Sequence, residues 1–265
     1  MYSPTRIVSF IFIFILFLCD CLVAQDAGTS ELLARLKAGS AKEIASTISS
    51  LLDSTLEQPE IARQLTLLLN DERTVVEHLM GRETVAERAW YKLLDLPSTA
   101  SVLILQEVPA LETDRARGQA FVAVSRIGKP NPRAYELILP YCSGEDVSMR
   151  AQSISALSAV ADASDESVNQ FGKLLLDSDP MVKWTVLDAL DERHERIATV
   201  IPEIIKLLDN DANVYIAISD HAAQPEKLRC RVARLLAKIG PKASDALAKL
   251  KKLTGPEYDK NVRIW

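Results

Sequence analysis

An apolar helix-starting pattern returns at Val85, Ala116, Met149, Val182, Leu228 and Val262, at intervals of 31, 33, 33, 46 and 34 residues. A period near 33 means serial copies of one small unit. A unit of that size cannot bury its own apolar face, so each copy relies on its neighbours for a continuous core. The recurrence therefore predicts a solenoid and points to an architecture rather than to a chemistry.

Composition agrees with a helical reading. Apolar residues make up 48% of the 265 positions and aromatics only 6%, so Leu, Ala, Ile and Val carry the apolar mass, as helical arrays prefer. The formal charge of −5, with no long Lys/Arg run, opposes the phosphate attraction on which nucleic-acid binding depends. Nucleic acid is set aside as a partner.

The N-terminus reads as a targeting segment. Arg6 precedes an apolar stretch from Ile7 to Leu18, interrupted only by Ser9, and Leu22, Val23 and Ala24 lead to polar Gln25. That is the charged, apolar and cleavage order of a secretory signal. Twelve residues span roughly 18 Å as a helix, short of a bilayer core of about 30 Å, so export is expected and an uncleaved membrane tether is the alternative. The residues before Cys19 and Cys21 lack the small side chains of a lipid-attachment site.

Cleavage leaves Cys142 and Cys230. They stand two repeats apart, and each repeat adds roughly 10 Å against a limit near 7 Å between bonded Cα atoms. Two buried thiols are expected.

Aligned on the anchors, apolar residues recur four, seven, eight and eleven positions on, as in Ala120, Ala123, Val124 and Ile127, or Val232, Leu235, Leu236 and Ile239. This is one buried helical stripe. Twelve positions on stand Gly128, Ala161, His194 and Gly240, where a left-handed terminating residue belongs. A shorter apolar helix precedes each long one, at 102–111, 135–142, 168–176, 201–208 and 246–253, and turns such as Asp177 to Pro180 join the two.

On these residues the chain resembles HEAT repeats, in particular the PBS-lyase HEAT-like subgroup. The matching features are Val182-Lys183 and Val262-Arg263 at helix starts, Ala189-Leu190 within the stripe, and Ile239-Gly240-Pro241 leading into Ala246-Leu247. The resemblance covers roughly residues 70 to 265. It implies an all-α fold, a right-handed α-solenoid of stacked antiparallel helix pairs of the armadillo type, and a binding scaffold more often than an enzyme.

Three domains are expected: a signal peptide at 1–24, a helical N-terminal cap at 25–69, and a HEAT-like array at 70–265. In the cap, Ser40 and Glu43 form a capping box before Ile44, Ile48, Leu51 and Leu52, and Ile61, Leu65, Leu68 and Leu69 follow at helical spacing. The array has two irregularities. Asp211-Ala212-Asn213-Val214 repeats the helix start of Asp179-Pro180-Met181-Val182 ahead of the anchor at Leu228, so residues near 212–226 are either a broken first half-helix or an inserted lobe. The last repeat is cut at Trp265, which leaves Leu247, Leu250 and Leu253 short of cover.

Catalytic and metal-binding patterns are weak. The di-iron deoxyhypusine hydroxylases, which resemble this chain in scaffold, hold their irons through several His-Glu pairs, and only His194-Glu195 has that order here. His194 occupies a helix-stop position, where an imidazole suits the C-terminal dipole. Glu77-His78 is reversed and Asp220-His221 lies in the insertion. Bilin lyases and alkylpurine DNA glycosylases share such repeats, but no phosphate loop, nucleophile elbow or Cys-His pair is present. Neither a cofactor nor a metal is expected.

The resemblance implies that the second helices line a concave side, and positions three, six and ten after each anchor should face away from the stripe. They read Arg88, Tyr91, Asp95; Gln119, Val122, Arg126; Gln152, Ser155, Ala159; Thr185, Asp188, Glu192; and Arg231, Arg234, Lys238. This charge-patterned strip suits a protein or extended peptide partner, with Asp188, Glu192, Arg231, Arg234 and Lys238 as candidate binding residues and Trp184 as a candidate anchor. In the alternative, Asp188 and Glu192 meet Arg231 and Arg234 on the adjacent repeat. The expected function is a noncatalytic interaction scaffold of the cell envelope or exterior, with a repeat-type enzyme or a fragment of a larger envelope protein as alternatives.

Overall fold

The computed structural model describes residues 28–78, 81–210, 212–217 and 223–253. The expected signal segment, His221, and the last anchor at Val262 with Trp265 lie outside the described residues. Two compact units divide the chain, up to Glu112 and from Thr113. Both are built from helix pairs.

In the first unit, helix α1 spans residues 28–38. Gly39 follows because a Cβ there would stand 2.6 Å from the Arg35 carbonyl oxygen. Helix α2 (Ala41–Ser50) starts at the expected capping box, with the Ser40 side chain accepting from the Glu43 N–H and Glu43 reaching back to the Ser40 backbone. It buries Ile44, Ala45 and Ile48. The helix ends one residue before Leu51, so Leu51 is buried while Leu52 stands 69% exposed, off the stripe expected for it. A short α3 (Asp53–Leu56) leads to α4 (Pro59–Leu67), which buries Ile61, Ala62 and Leu65.

Strands β1 (Thr74–His78) and β2 (Gly81–Thr84) form an antiparallel hairpin with a register shift between Thr74 and Val76. Helix α5 (Val85–Leu93) follows at once, capped by Thr84 and Glu87, and α6 (Ser101–Glu107) closes the unit with a 3-10 turn at Val108–Ala110. Helix α4 packs on α5 and α6, and α2 packs on α5. Helix α4 is thus the first helix of the pair that α5 completes, and this pair straddles the boundary expected at residue 69.

The second unit holds α7 (Asp114–Ile127), α8 (Pro132–Ile138), α9 (Val147–Val160), α10 (Asp165–Leu174), α11 (Pro180–Asp191) and α12 (Ile201–Lys206). A second antiparallel hairpin, β3 (Asn213–Ala217) and β4 (Ala223–Lys227), precedes α13 (Leu228–Ile239) and α14 (Leu247–Leu253). Long helices stack in the order α7, α9, α11, α13, and each shorter helix packs on the long helix after it. The core runs between them through Phe121, Ile138, Ile154, Phe171, Leu187 and Leu235, all fully buried. The fold is an all-α solenoid of antiparallel helix pairs carrying two small hairpins.

The recurring anchors have a local cause. In α7, α9 and α11 the anchor is the third helical residue, and its N–H is bonded by the cap side chain three positions earlier: Thr113 to Ala116, Asp146 to Met149, and Asp179 to Val182. In α5 and α13 the anchor is the first helical residue. There the hairpin replaces the opening turn, and the anchor N–H donates instead to the residue before the hairpin, Val85 to the Arg73 carbonyl at 3.1 Å and Leu228 to the Ala212 carbonyl at 3.0 Å.

One turn precedes both hairpins. The Asp71 carboxylate accepts from the Arg73 N–H and the Asn210 side chain from the Ala212 N–H, as Asp177 does from Asp179 where no hairpin intervenes. The insertion expected near 212–226 is therefore a hairpin lobe rather than a broken helix. Residues 74–84 hold another at the equivalent place, which the spacing did not reveal.

Helices α7, α9 and α13 stop at Gly128, Ala161 and Gly240 as expected, whereas α11 ends at Asp191, three residues before His194, and the conformation of the stops differs from expectation. Gly128 and Ala161 are extended rather than left-handed, and Gly240 at φ 69° is the one with positive φ among the described residues. Gly128 serves close approach, since a Cβ would lie 2.6 Å from the Val124 carbonyl oxygen and 3.0 Å from Val160 Cγ1. His194 lies beyond α11, with Nδ1 3.1 Å from the Asp191 carbonyl oxygen.

Candidate partner-binding surface

The second-helix strip is read most directly in the second unit. On α11, Asp188 and Glu192 point outward with side chains 52% and 69% exposed. On α13, Arg231 reaches back across the repeat boundary, placing its guanidinium 2.6 Å from Asp188 and 3.2 Å from Asp191. Lys238 lies 2.9 Å from the Asp191 carboxylate and also donates to the Asp191 carbonyl at 3.1 Å. Asp188 and Arg231 thus pair across the boundary, while Glu192 turns the other way and accepts from Ser158 on α9 at 2.9 Å.

Arg234 lies in the same field of Asp188 and Asp191, is part-buried, and directs Nε to the Cys230 carbonyl. Trp184 is 8% exposed and hydrogen bonds to Asp188, so its ring packs behind the strip.

The electrostatics follow from this geometry. Burial raises the Asp188 carboxyl above its usual range, and Arg231 offsets only part of that effect. Burial also acts upward on Asp191, but hydrogen bonds from Lys238 and Arg231 outweigh it and hold the group low. Asp191, which the strip positions skip, is the hub of the cluster. Its place at the last turn of α11 was visible, but not that two cations of the next repeat converge on it.

Arg193 is a second residue that spacing did not single out. Its side chain is 7% exposed, donates to the Ser158 and Ala161 carbonyls at 2.6 and 3.2 Å, and lies 5.1 Å from the Phe171 ring centroid. The cation covers the carbonyl end of α9 from the following repeat, where the helix dipole is negative. Lys238 does the same for α11, and Lys249 donates to the Ile205 carbonyl near the end of α12.

In the first unit the strip lies open. Arg88, Tyr91 and Asp95, the three positions expected to face outward from α5, all line a groove of about 430 Å³ together with Ile48 and Ser49 of α2 and Glu83 of β2. Tyr91 is 62% exposed and sits beside Trp90, ring centroids 4.8 Å apart.

Among the described residues no cluster of three or more His, Cys, Asp or Glu is placed to hold a metal. Cys142 and Cys230 are buried thiols outside any disulfide, and burial pushes the Cys142 thiol up to about 11. His78 closes β1 at the hairpin turn.

No family model and no curated protein matches the chain. Solved structures do. A Kap121p mutant aligns over 91% of this chain and 29% of its own at 12% identity, with a TM-score of 0.57. Kap95p, in a structure with RanGDP, aligns over 87% and 33% at 14% identity, with a TM-score of 0.54. The fold is that of HEAT-type helical repeats. The CpcE–CpcF phycocyanin lyase complex of a Nostoc species covers 89% of this chain and 84% of its own at 13% identity, with a TM-score of 0.42. This HEAT-like chain spans about a third of the length of the two importin-type proteins. Among its described residues no helix is long and apolar enough to cross a membrane.

Proposed function

We propose that the chain is a noncatalytic protein-interaction scaffold of the cell envelope or exterior, which binds a protein or extended peptide on the face formed by its second helices. The observation that carries this reading is the strip itself. Side chains at the same three positions of the second helices reach solvent within each unit, in Arg88, Tyr91 and Asp95 of the first and in Arg126, Ser155, Asp188, Glu192 and Lys238 of the second, while the stripe behind them is buried. A row of outward side chains on a packed array is how a repeat protein offers a long recognition surface. Kap95p, which shares the fold, is bound to RanGDP in its structure and supports the same use of such an array.

Arg126, Asp188, Glu192 and Lys238 are the outward charges of the second-unit strip, with Arg231 and Arg234 less exposed and Trp184 buried. The apolar run from Ile7 to Leu18 behind Arg6 supports export. Pull-down from an envelope extract, comparing the wild type with Asp188→Lys plus Glu192→Lys, tests the surface: loss of a reproducible partner is expected, and an unchanged partner set removes this strip. The N-terminal residue of the secreted protein tests export, with Gln25 expected as the new N-terminus.

A further inference from the structure

The groove on α5 differs from the rest of the strip in what its charges are doing. Arg88 is held by Glu83 at 2.9 Å and donates to the Ser49 hydroxyl at 2.9 Å, so its cation is committed within the unit. Lys92 lies 3.2 Å from Asp95. The two partners are unequally placed: the Lys92 side chain is 17% exposed and Asp95 58%. The net charge of the four is zero, yet the charge that faces solvent at the groove mouth is a carboxylate.

The groove is also lined by Ile48, Leu94 and Tyr91, of which Ile48 is buried and Tyr91 is 62% exposed. A groove of about 430 Å³ whose exposed apolar surface is chiefly Tyr91 has room for one or two side chains. It does not offer the longer apolar floor that the i, i+3, i+4, i+7 face of a docked helix requires. Tyrosine is also a side chain that anchors interfaces at low entropic cost, because its ring is large and rigid.

We propose that this groove seats an extended peptide of a partner protein, with one aliphatic or proline side chain packed on Tyr91 and a Lys or Arg of the peptide beside Asp95. The proposal rests on the scaffold reading and names the chemistry of one site within it. An acidic peptide is disfavoured, because Asp95, though bridged to Lys92, is the most exposed charge of the two pairs, and both cations are already paired.

The test uses the full chain and three fluorescently labelled, end-capped peptides: Gly-Ser-Leu-Pro-Lys-Ser-Gly, the same peptide with Glu for Lys, and the same peptide with Ser-Ser for Leu-Pro. Anisotropy titrations to about 1 mM are expected to show the Leu-Pro-Lys peptide binding at least about tenfold tighter than the other two. Tyr91→Ala should weaken it by at least about tenfold, and Asp95→Lys should reverse the Lys-over-Glu preference, both with unchanged circular dichroism melting.

Equal binding of the three peptides, absence of binding, or insensitivity to Tyr91→Ala overturns the proposal. So does a Tyr91→Ala variant that halves the mass seen by light scattering, since the occupant is then a second copy of the chain. If the peptides fail while the Asp188→Lys plus Glu192→Lys variant still loses its partner, the groove proposal alone falls and the scaffold reading stands.

Discussion

Arg193 and Arg150 are two cations of the second unit with side chains 7% and 10% exposed, and each makes contacts across a repeat boundary. Arg150 makes a two-point contact with Asp177 at 2.7 and 3.0 Å and donates to the Gly144 and Glu145 carbonyls, with its side chain 10% and that of Asp177 13% exposed. Removing one partner of such a pair leaves the other buried and uncompensated. Arg150→Ala is expected to cost about 3 kcal/mol in denaturant unfolding, and Arg193→Ala about 2 kcal/mol from the uncovered carbonyls of α9.

Acidification is expected to destabilise the fold for related reasons. Hydrogen bonds from Arg73 lower Asp71, and those from Ser164 and Ser167 lower Asp162. In Asp177 and Asp191 the donors outweigh burial, again lowering the group. A depressed folded value gives stability that is present above the unfolded value and lost as pH falls through the folded one. Glu43 is lowered too, by hydrogen bonds from Ser40, whereas Asp188 is raised and works in the opposite sense, so five groups oppose one. The melting temperature should fall as pH drops below about 4, and a melting temperature that holds or rises there would contradict this assignment.

At the scale of the element, caps and close approaches decide where helices begin and end. The Ser40 and Glu43 box was legible because both of its residues lie within one turn. Thr84 with Glu87 makes the same box on α5, and Thr84→Ala should cost about 1 kcal/mol, measured by thermal unfolding. The α10 helix meets the next repeat so closely that a Cβ at Gly172 would run into Val200 Cγ1. Gly172→Ala should therefore cost about 2 kcal/mol through overpacking, despite the higher helix propensity of alanine. The hairpin of β1 and β2 leaves no mark in the spacing because it precedes Val85, the first anchor, and so lengthens no interval between anchors. Its strands are specified by pairing with each other rather than by period.

Across the whole molecule, stability should follow each helix's neighbours. Helix α9 lies between α7 and α11 and buries Ile154, Ala156, Leu157 and Val160. Helix α14 buries Leu253, while Leu247 is 55% exposed. In a nearest-neighbour array a helix buried between two neighbours opens less readily than one whose apolar side chains reach solvent. Amide exchange is expected to be slowest in α9 and α11 and fastest in α14. Equal protection along the array would mean that it unfolds as one cooperative block.

Periodicity alone determined the repeat, the phase of each buried stripe and the outward positions of the second helices, because helical spacing is a local property that every repeat states again. Tertiary structure decided which of those outward residues remain available. Asp188 and Arg231 stand 43 positions apart and meet only because α11 and α13 stack, whereas Tyr91 stays exposed beside charges that are paired within its own unit. The partners of a side chain in a solenoid come from the neighbouring repeat, and the period sets which repeat is adjacent but not which rotamer closes the contact.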